Sequence, residues 1–543
     1  MVDAITTVPA PVNETGLDYA PGSAEREALQ ARLKELAGSP HELTITVGGE
    51  QRMGGGERVE VVQPHARRSV LGTLRTATHA DAQAAVDSCL ETARSWRDTP
   101  FDDRAAIFLK AADLLAGPWR QTLNAATMLG QSKTAYQAEI DSACELIDFW
   151  RYNVAFATQI RAEQPGSTSG VWNRTDHRPL EGFVYAISPF NFTAIAGNLA
   201  TAPALMGNVV LWKPSPTQQL AAHLTMRLLE AAGLPPGVIN LLTGDGQAVS
   251  DIALAHPALA GIHFTGSTAT FRHLWRTAGA NVDSYRTYPR LVGETGGKDF
   301  VVAHPSADLD VLRTALIRGA FDYCGQKCSA ASRAFIARSV WERLRDDLVG
   351  QVDALRIGDP VTDFSAFAGA VIDGRAFGRV QAALDRAVAT PSIRVLAGGT
   401  CDDTQGWFVR PTLLEGDDPT DEVFTTEYFG PVLAVHVYED AEYEQVLGLV
   451  DSATPYALTG AVIAQDRGAI ATAMSALRFT AGNFYVNDKP TGAVVGQQPF
   501  GGGRSSGTND KAGSPLNLQR WTSPRSIKET FVPATQHGYP HMG

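Results

Sequence analysis

Two patterns of apolar and polar residues divide the chain. Between residue 79 and about residue 152, apolar residues recur every three or four positions, as in 81–96 and 102–115, which predicts amphipathic helices. Beyond 182, apolar runs at 183–187, 209–212, 238–242 and 261–264 alternate with helical segments at 194–206, 218–232 and 248–255. The alternation repeats from 300 to about 486, with helices near 308–319, 340–355 and 375–389. Short strands alternating with helices predict parallel sheets with βαβ crossovers.

The segments outside this alternation are polar or irregular. Residues 1–25 are rich in Pro, Thr and Ala and predict an irregular arm, followed by a helix at 25–36. The polar stretch 165–179 predicts a projecting hairpin, and 514–531 predicts an edge strand with flanking loops. Polar strands that cannot bury a face by themselves are expected to pair across subunits, so we predict a dimer or a multiple of dimers.

Composition narrows the class of protein. A chain of 543 residues with 44% hydrophobic and 19% charged residues predicts two large domains with substantial cores. A net charge of -12 argues against nucleic acid as a partner, and no apolar run approaches the length of a membrane span. The five cysteines form neither a disulfide framework nor a zinc pattern, so we predict no metal. The first arginine is Arg26, which disfavours a targeting peptide, and we predict a cytoplasmic protein.

The strongest chemical signal is a cysteine and a glutamate in glycine-rich surroundings. Cys328 lies in Gly-Gln-Lys-Cys-Ser-Ala, where glycine, lysine and small residues predict an accessible, electropositive thiol suited to nucleophilic attack. Glu294 lies in Gly-Glu-Thr-Gly-Gly-Lys and can act as a general base. The plainer interpretation is that Cys328 is a small buried apolar residue.

Further candidates follow the predicted strands, where open α/β sheets bind ligands. Asn191 can donate to an oxyanion or can cap a helix. Lys213 can meet ribose or phosphate, or can end a strand in solvent. Gly266 and Ser267 precede a helix whose positive end suits a pyrophosphate, although an ordinary glycine turn with a serine cap has the same sequence.

Two later segments combine glycine with aromatic residues. Glu427 can hold ribose hydroxyls and Phe429 can cover a flat ring, and a structural turn is the alternative. Glycines at 492 and 501–503 lie on either side of Phe500, which indicates either a loop close to a ligand or a flexible hinge. Neither G-x-G-x-x-G after a strand nor G-x-x-x-x-G-K-[ST] occurs, so the standard nucleotide-binding patterns are absent.

Taken in order, these segments resemble the aldehyde dehydrogenase superfamily over most of residues 45–530. The resemblance rests on Asn191, Lys213-Pro-Ser, Phe-Thr-Gly266-Ser267, Glu294 with its glycines, Cys328, and Glu427-x-Phe429-Gly-Pro. It implies that Cys328 attacks an aldehyde, that Asn191 and the Cys328 backbone N–H hold the oxyanion, that hydride passes to NAD, and that Glu294 activates water.

The resemblance also implies a set of cofactor-binding residues: Ser188, Pro189, Lys213, Ser215, Gly266, Ser267, Glu427 and Phe429. One position departs from the pattern. Three residues after Lys213 the chain has Pro216, where many members carry a ribose-binding glutamate. NAD stays favoured over NADP.

Within the superfamily, the segments around Phe192, Cys328, Gly492 and Phe500 resemble the 1-pyrroline-5-carboxylate dehydrogenase family. This implies oxidation of L-glutamate γ-semialdehyde to glutamate in proline catabolism, with proline dehydrogenase as a candidate partner. It implies that Ser329, Gly492 and Ala493 bind the α-carboxylate and that Phe192 and Phe500 enclose the aliphatic chain. Glu145 would face the ammonium group, unless it is an ordinary helix-surface carboxylate, and Lys327 would line the substrate site.

The expected fold is therefore α/β, with a Rossmann-type NAD-binding domain, an α/β catalytic domain and a small β oligomerisation element. We assign residues 1–40 to the arm, 41–164 and 182–292 to the NAD-binding domain, 293–507 to the catalytic domain, and 165–181 with 508–543 to the oligomerisation element. Two alternatives remain: a dehydrogenase for another semialdehyde, and a non-catalytic relative with a binding or structural role. The presence of Glu294 disfavours a CoA-acylating enzyme.

Overall fold

The computed structural model describes residues 6–543, so residues 1–5 of the predicted arm lie outside the described part. The helices, in chain order, are α1 Ala24–Ala37, α2 His79–Asp98, α3 Phe101–Ala116, α4 Arg120–Gln131, α5 Ala135–Ala138, α6 Glu145–Ala162, α7 Thr193–Leu205, α8 Gln219–Ala232, α9 Gln247–Ala255, α10 Thr268–Ala280, α11 Leu309–Phe321, α12 Arg338–Asp353, α13 Gly374–Ala389, α14 Glu422–Thr425, α15 Tyr443–Ser452, α16 Arg467–Ala476 and α17 Pro515–Gln519. A π-helical turn, Glu139–Cys144, joins α5 to α6.

The strands, in chain order, are β1 His41–Leu43, β2 Ile45–Val47, β3 Glu50–Arg52, β4 Arg58–Gln63, β5 Ala66–Arg75, β6 Val171–Pro179, β7 Phe183–Ser188, β8 Val209–Pro214, β9 Ile239–Leu241, β10 Leu259–Thr265, β11 Arg290–Glu294, β12 Asp299–Ala303, β13 Ala331–Ala337, β14 Ile393–Ala397, β15 Cys401–Asp402, β16 Phe408–Val409, β17 Thr412–Gly416, β18 Val432–Tyr438, β19 Tyr456–Ala457, β20 Thr459–Ile463, β21 Asn483–Val486, β22 Gly503–Arg504 and β23 Thr522–Thr530.

Two seven-stranded sheets organise the molecule. The first has the order β11-β10-β7-β8-β9-β2-β3 and is parallel except at β2 and β3. The second has the order β14-β17-β18-β13-β12-β20-β21 and is parallel except for β14. Each sheet is buried in its own apolar core, as expected for strands covered on both faces. The predicted α/β class is confirmed.

The register of the first sheet brings several candidate residues to one edge. Ile187 pairs with Lys213, and Thr265 pairs with Glu294, each at or near the carboxyl end of its strand. Parallel strands end at the same edge, so the residues that follow β7, β8, β10 and β11 face one crevice. The sheet therefore gathers Asn191, Lys213, Ser267 and Glu294 on one side of the domain.

The predicted oligomerisation element differs from the structure in two ways. Residues 165–179 do not form a hairpin, because β6 is a single strand whose antiparallel partner is β23. Residues 508–521 do not project with β23: α17 packs against α6, and Leu518 and Trp521 are fully buried in the core of the first sheet. The apolar residues just before β23 explain this difference, because they bury area in the body of the molecule.

No helix among residues 6–543 is both long enough and apolar enough to cross a bilayer. Within the same residues, no group of three or more His, Cys, Asp or Glu side chains is arranged to hold a metal ion.

Candidate active site

A tight left-handed turn presents Cys328. Tyr323, Cys324 and Gly325 have φ values of 51°, 52° and 63°, immediately before the segment that leads into β13. A methyl group on Gly325 would lie 2.3 Å from the carbonyl oxygen of Gly430, so only glycine fits this turn. Cys328 itself is partly exposed and lies on a cavity between the two sheets.

The surroundings of the thiol are not electropositive, and that prediction was wrong. Burial raises the pKa of Cys328 well above its usual range, and the nearby carboxyl groups of Asp299, Glu427 and Glu294 raise it further. The flanking Lys327 does not offset them because its ammonium group is bound to Asp322 at 2.5 Å. Burial and these carboxyl groups therefore favour the protonated thiol over the thiolate.

Glu294 ends β11 and projects into the same cavity. Its Oε2 accepts a hydrogen bond from the Gly502 N–H at 3.0 Å, and added methyl groups on Gly501 and Gly507 would lie 2.9 and 3.0 Å from its carboxylate oxygens. Burial raises the pKa of Glu294 well above the usual carboxyl range, although the Gly502 bond and the charge of Lys511 oppose the shift. A carboxyl group with a raised pKa is suited to general-base catalysis.

Asn191 is buried, and it is not a helix cap. Phe192 occupies the N-cap position of α7, and the Asn191 Nδ2 donates to the Gln326 carbonyl oxygen at 2.9 Å. This bond ties the end of β7 to the turn that carries Cys328. The Asn191 amide is therefore held beside the segment that carries Cys328.

The cavity next to Cys328 brings together all of the predicted substrate-binding residues: Glu145, Phe192, Lys327, Ser329, Gly492, Ala493 and Phe500. The Ser329 hydroxyl lies 2.8 Å from that of Thr491, and this contact joins the segment that carries Cys328 to the loop that begins at Thr491. We call residues 491–498 the anchor loop. Gly492 has φ +93°, a conformation that suits glycine, and Phe500 is fixed by two backbone hydrogen bonds with Ala512 at 2.9 and 2.8 Å.

A group of buried charges lies behind Glu145. Lys133 is fully buried and forms a 2.5 Å ion pair with Asp141, while its Nζ lies 4.2 Å from the centre of the Phe192 ring. Burial raises the pKa of Glu145 to about 8, with Asp141 and Asp148 adding to the shift and Lys133 and Lys327 opposing it. Glu145 is thus a partly buried cavity carboxyl group and not a helix-surface residue.

The cofactor candidates lie along the edge of the first sheet and across from it. Lys213 is buried, which excludes a solvated strand end, and its Nζ lies 3.3 Å from the Gly244 carbonyl oxygen. Burial lowers the pKa of Lys213 to about 8, against the attraction of Asp245. Ser267 caps α10 by accepting from the Thr270 N–H at 3.1 Å. The capping interpretation is confirmed, and it leaves the positive end of a 13-residue helix at the crevice.

The other predicted residues of this edge have structural contacts. The Ser188 hydroxyl accepts from the Trp212 indole N–H at 3.0 Å, and Pro189 follows directly. The Ser215 hydroxyl lies 3.1 Å from that of Thr217. Gly266 donates its N–H to the Glu294 carbonyl oxygen at 3.2 Å, which joins the end of β10 to the end of β11.

Glu427 and Phe429 form the opposite wall, in a cleft that also contains Cys328. The Glu427 Oε1 accepts from the Gly297 N–H at 3.0 Å, and burial raises the pKa of Glu427 to about 7. Phe429 has φ +54°, which is uncommon for a large side chain, and its ring packs edge-on against Phe190 at 5.8 Å. The turn places the Glu427 carboxylate and the Phe429 ring in the cleft that contains Cys328.

Comparison with known proteins decides the family. The model for "Aldehyde dehydrogenase family" matches residues 52–527. The chain belongs to the aldehyde dehydrogenase family. Delta-1-pyrroline-5-carboxylate dehydrogenase of Bos taurus, a mitochondrial protein by its name, is 50% identical over 98% of this chain and 94% of the relative. A crystal structure of delta-pyrroline-5-carboxylate dehydrogenase from Mycobacterium tuberculosis bound with NAD is 66% identical, covers 100% of both chains and has a TM-score of 0.97.

At residue 216, where many members of the aldehyde dehydrogenase family carry a ribose-binding glutamate, this chain has proline. Pro216 begins a 3-10 turn, Pro216–Gln218, and its ring offers no polar atom to a ribose. Lys213, three residues earlier, has three N–H donors, and a single acceptor for them is found among residues 6–543, the Gly244 carbonyl oxygen. Its remaining donors, with the free end of α10, fit hydroxyl and phosphate oxygens of a dinucleotide.

Sequence reasoning missed several residues that line or support the site. Phe149 lines the substrate cavity one helical turn after Glu145, and the i, i+4 spacing on a predicted helix was the signal that could have found it. Lys133 and Asp141 are far apart from Cys328 in sequence and carried no signal. Asp299 follows the glycine-rich turn after Glu294, and its effect on the thiol depends on tertiary packing.

Proposed function

We propose that this chain catalyses the NAD-dependent oxidation of L-glutamate γ-semialdehyde to L-glutamate, a step of proline catabolism. The observation that carries the proposal is a single cavity that contains Cys328, Glu294, the anchor loop and the Glu145 carboxyl group. This set provides a nucleophile, a base and separate contacts for an α-carboxylate and an α-ammonium group.

The first step is attack of the Cys328 sulfur on the aldehyde carbon. The thiol must lose its proton as the carbon–sulfur bond forms, and Glu294 is a base of raised pKa in the same cavity. The carbonyl oxygen gains negative charge and is stabilised by the Asn191 amide and the Cys328 backbone N–H. The product of this step is a thiohemiacetal on Cys328.

Oxidation and hydrolysis follow. NAD, when bound, supplies the acceptor for the hydride that leaves the former aldehyde carbon. The resulting thioester is attacked by water, which Glu294 deprotonates, and the thiol leaves with glutamate as the product. The balance is one aldehyde, one NAD and one water converted to one carboxylate, one NADH and two protons.

The cofactor would be held by residues of both domains. Lys213 and Glu427 would contact the two riboses, Ser267 and the end of α10 the pyrophosphate, and Phe429 the nicotinamide side. Ser188, Pro189, Ser215 and Gly266 shape the crevice between these contacts.

Substrate recognition would use opposite ends of the cavity. Ser329 and the N–H groups of Gly492 and Ala493 would bind the carboxylate, Glu145 the ammonium group, and Phe192 and Phe500 the carbon chain. Lys327 would line the cavity with its side chain while its ammonium group is held by Asp322.

The test is NADH formation measured with three aldehydes: L-glutamate γ-semialdehyde, glutarate semialdehyde, which lacks the amino group, and propanal, which lacks both charged groups. We expect kcat/KM to fall in that order. Equal or faster turnover of propanal would refute the substrate assignment, and faster turnover of glutarate semialdehyde would support a dehydrogenase for another semialdehyde.

We also propose that β6 and β23 mediate assembly. They form a two-stranded sheet with large exposed apolar side chains at one end: Trp172 is 50% exposed, Phe531 61% and Val532 78%. Pairing with a second copy would cover these groups and the open strand edge. Light scattering that found monomer alone would refute a dimer or a multiple of dimers.

The location in the cytoplasm and an association with proline dehydrogenase are proposals as well. Cell fractionation tests the first, and it matters because the bovine relative is named as mitochondrial. Co-elution of the two purified enzymes tests the second.

A further inference from the structure

One side chain of the N-terminal arm connects the two halves of the substrate cavity. The Asn13 Nδ2 donates to Asp148 Oδ2 at 2.8 Å and to the Val495 carbonyl oxygen at 2.9 Å. The Asn13 Oδ1 accepts from the Tyr152 hydroxyl at 3.1 Å and from the Gln497 side-chain amide at 2.9 Å. All four hydrogen-bonding positions of one amide are therefore used, two toward α6 and two toward the anchor loop.

The two partners of Asn13 are the elements that carry opposite substrate contacts. On α6, Glu145 and Phe149 line the cavity, while Asp148 and Tyr152 face the arm. Because residues three and four apart share one side of a helix, a shift at Asp148 or Tyr152 moves Glu145 with it. Asn13 thus contacts the same side of α6 that presents the Glu145 carboxyl group, three and seven residues further along the helix.

The anchor loop depends on external contacts for its position. Gly492 and Gly496 have φ values of +93° and +80°, and Gly492, Gly496, Gln497 and Gln498 are all exposed. Gly496 lies flat against the Tyr152 ring, where an added methyl group would be 2.2 Å from a ring carbon. A glycine-rich exposed loop has high conformational entropy, so each hydrogen bond to a fixed group reduces the number of conformations that the loop samples.

The arm is itself firmly attached to the body of the molecule. The Glu14 N–H donates to Asp148 Oδ1 at 2.7 Å, and its carboxylate forms ion pairs with Arg120 at 2.6 Å and Arg151 at 2.7 Å. Asn13 is held next to these contacts, so it can serve as a fixed point for the loop.

We infer that Asn13 is a positioning residue that sets the distance between the carboxylate-binding anchor loop and the Glu145 face of α6. It lies before residues 52–527, the part of the chain that the family model matches. The inference rests on the proposed function, because it concerns a substrate that carries both an α-carboxylate and an α-ammonium group. A substrate without these groups makes neither contact and does not depend on their spacing.

The experiment compares Asn13→Ala with the wild type and with Val12→Ala, a matched control on the same arm whose side chain is 69% exposed. Steady-state KM and kcat are measured for L-glutamate γ-semialdehyde, propanal and NAD. For Asn13→Ala we expect the KM for the semialdehyde to rise about tenfold, the change that corresponds to losing roughly one to two hydrogen bonds. The kcat, the propanal KM and the NAD KM should stay within about twofold of wild type, and Val12→Ala should match wild type throughout.

A second variant, Gln497→Ala, removes one contact from the loop side. It should raise the semialdehyde KM by less than Asn13→Ala, and the double variant should be no worse than Asn13→Ala alone because both changes break one connection. Additive effects in the double variant would overturn the inference, as would an unchanged semialdehyde KM in Asn13→Ala or an equal rise in all three KM values.

Failure of the proposed function has a different signature. If the wild type does not prefer the semialdehyde, calorimetric binding of L-glutamate to the same variants still tests the spacing role. Weaker glutamate binding by Asn13→Ala than by Val12→Ala supports it, and equal binding refutes it.

Discussion

Replacing Glu294 by glutamine separates the two halves of the proposed reaction. The substitution keeps the volume of the side chain, which matters because Gly501 and Gly507 approach the carboxylate so closely. The glutamine carbonyl can still accept the Gly502 N–H at about the present distance of 3.0 Å. The variant therefore lacks the base while the shape of the cavity is kept.

The two steps should respond to different extents. Hydrolysis of the thioester should slow about 10²- to 10⁴-fold, the usual contribution of a general base, or about 3 to 5 kcal/mol in the barrier. Attack by Cys328 also loses a proton acceptor, but it should slow less, because the negative charge of Glu294 is one of the causes that raise the pKa of the thiol. Removing that charge favours the thiolate.

Rapid mixing with NAD and the semialdehyde gives the readout. From the variant we expect a burst of about one NADH per active site, followed by a steady rate reduced by the factor above, and from the wild type we expect no burst. Glu181→Gln, at an exposed glutamate before β7, is the control and should behave as wild type. A steady rate within about threefold of wild type, or loss of the burst together with turnover, would refute the role of Glu294 as the hydrolytic base.

Three further predictions follow from the same geometry. Cys328→Ala should abolish NADH formation at every aldehyde concentration while Cys401→Ala, at a partly exposed cysteine, leaves it unchanged; residual NADH formation in Cys328→Ala would exclude the covalent mechanism. Gly296→Ala would place a methyl group 2.1 Å from the Glu427 Oε2, so the carboxylate must move. The KM for NAD should then rise about tenfold with little change in the KM for aldehyde, and an unchanged NAD KM would contradict the role of Glu427. Burial raises the pKa of Glu145 to about 8, so its carboxyl group ionises as the pH rises from 6 toward 8 and should bind the ammonium group more strongly. The KM for the semialdehyde should therefore fall over that pH range in the wild type and stay flat in Glu145→Gln.

Local sequence patterns were sufficient for most of the longer helices and for four strands of the first sheet. The spacing of apolar residues predicted α7, α8, α9, α11, α12 and α13 to within about two residues at each end. Residues that follow the strands of a parallel sheet share one edge, so Asn191, Lys213 and Ser267 could be grouped before any coordinate was known. Catalytic and substrate roles required the resemblance to a family, because a cysteine or glutamate in a glycine-rich segment is ambiguous by itself.

The sign of the electrostatics at Cys328 could not be predicted in this way. The flanking lysine suggested positive potential, but Lys327 turns to Asp322, while Asp299 and Glu427 approach the thiol from other segments. Charge at a site depends on which groups meet in space and how deeply they are buried, and the neighbours in sequence are only a small part of that set.

The amino-acid sequence by itself determined the α/β class and the strands β7, β8, β9 and β10, because these depend on local periodicity, and it singled out Cys328 and Glu294 as candidates by residue type. Only the tertiary structure decided which groups surround them. It placed Leu518 and Trp521 in the core, buried Lys133 beneath Phe192, and brought Asn13 of the arm against the anchor loop. Contacts between distant segments arise from packing the sheets and helices together, and side-chain packing of that kind leaves no periodic trace in the sequence.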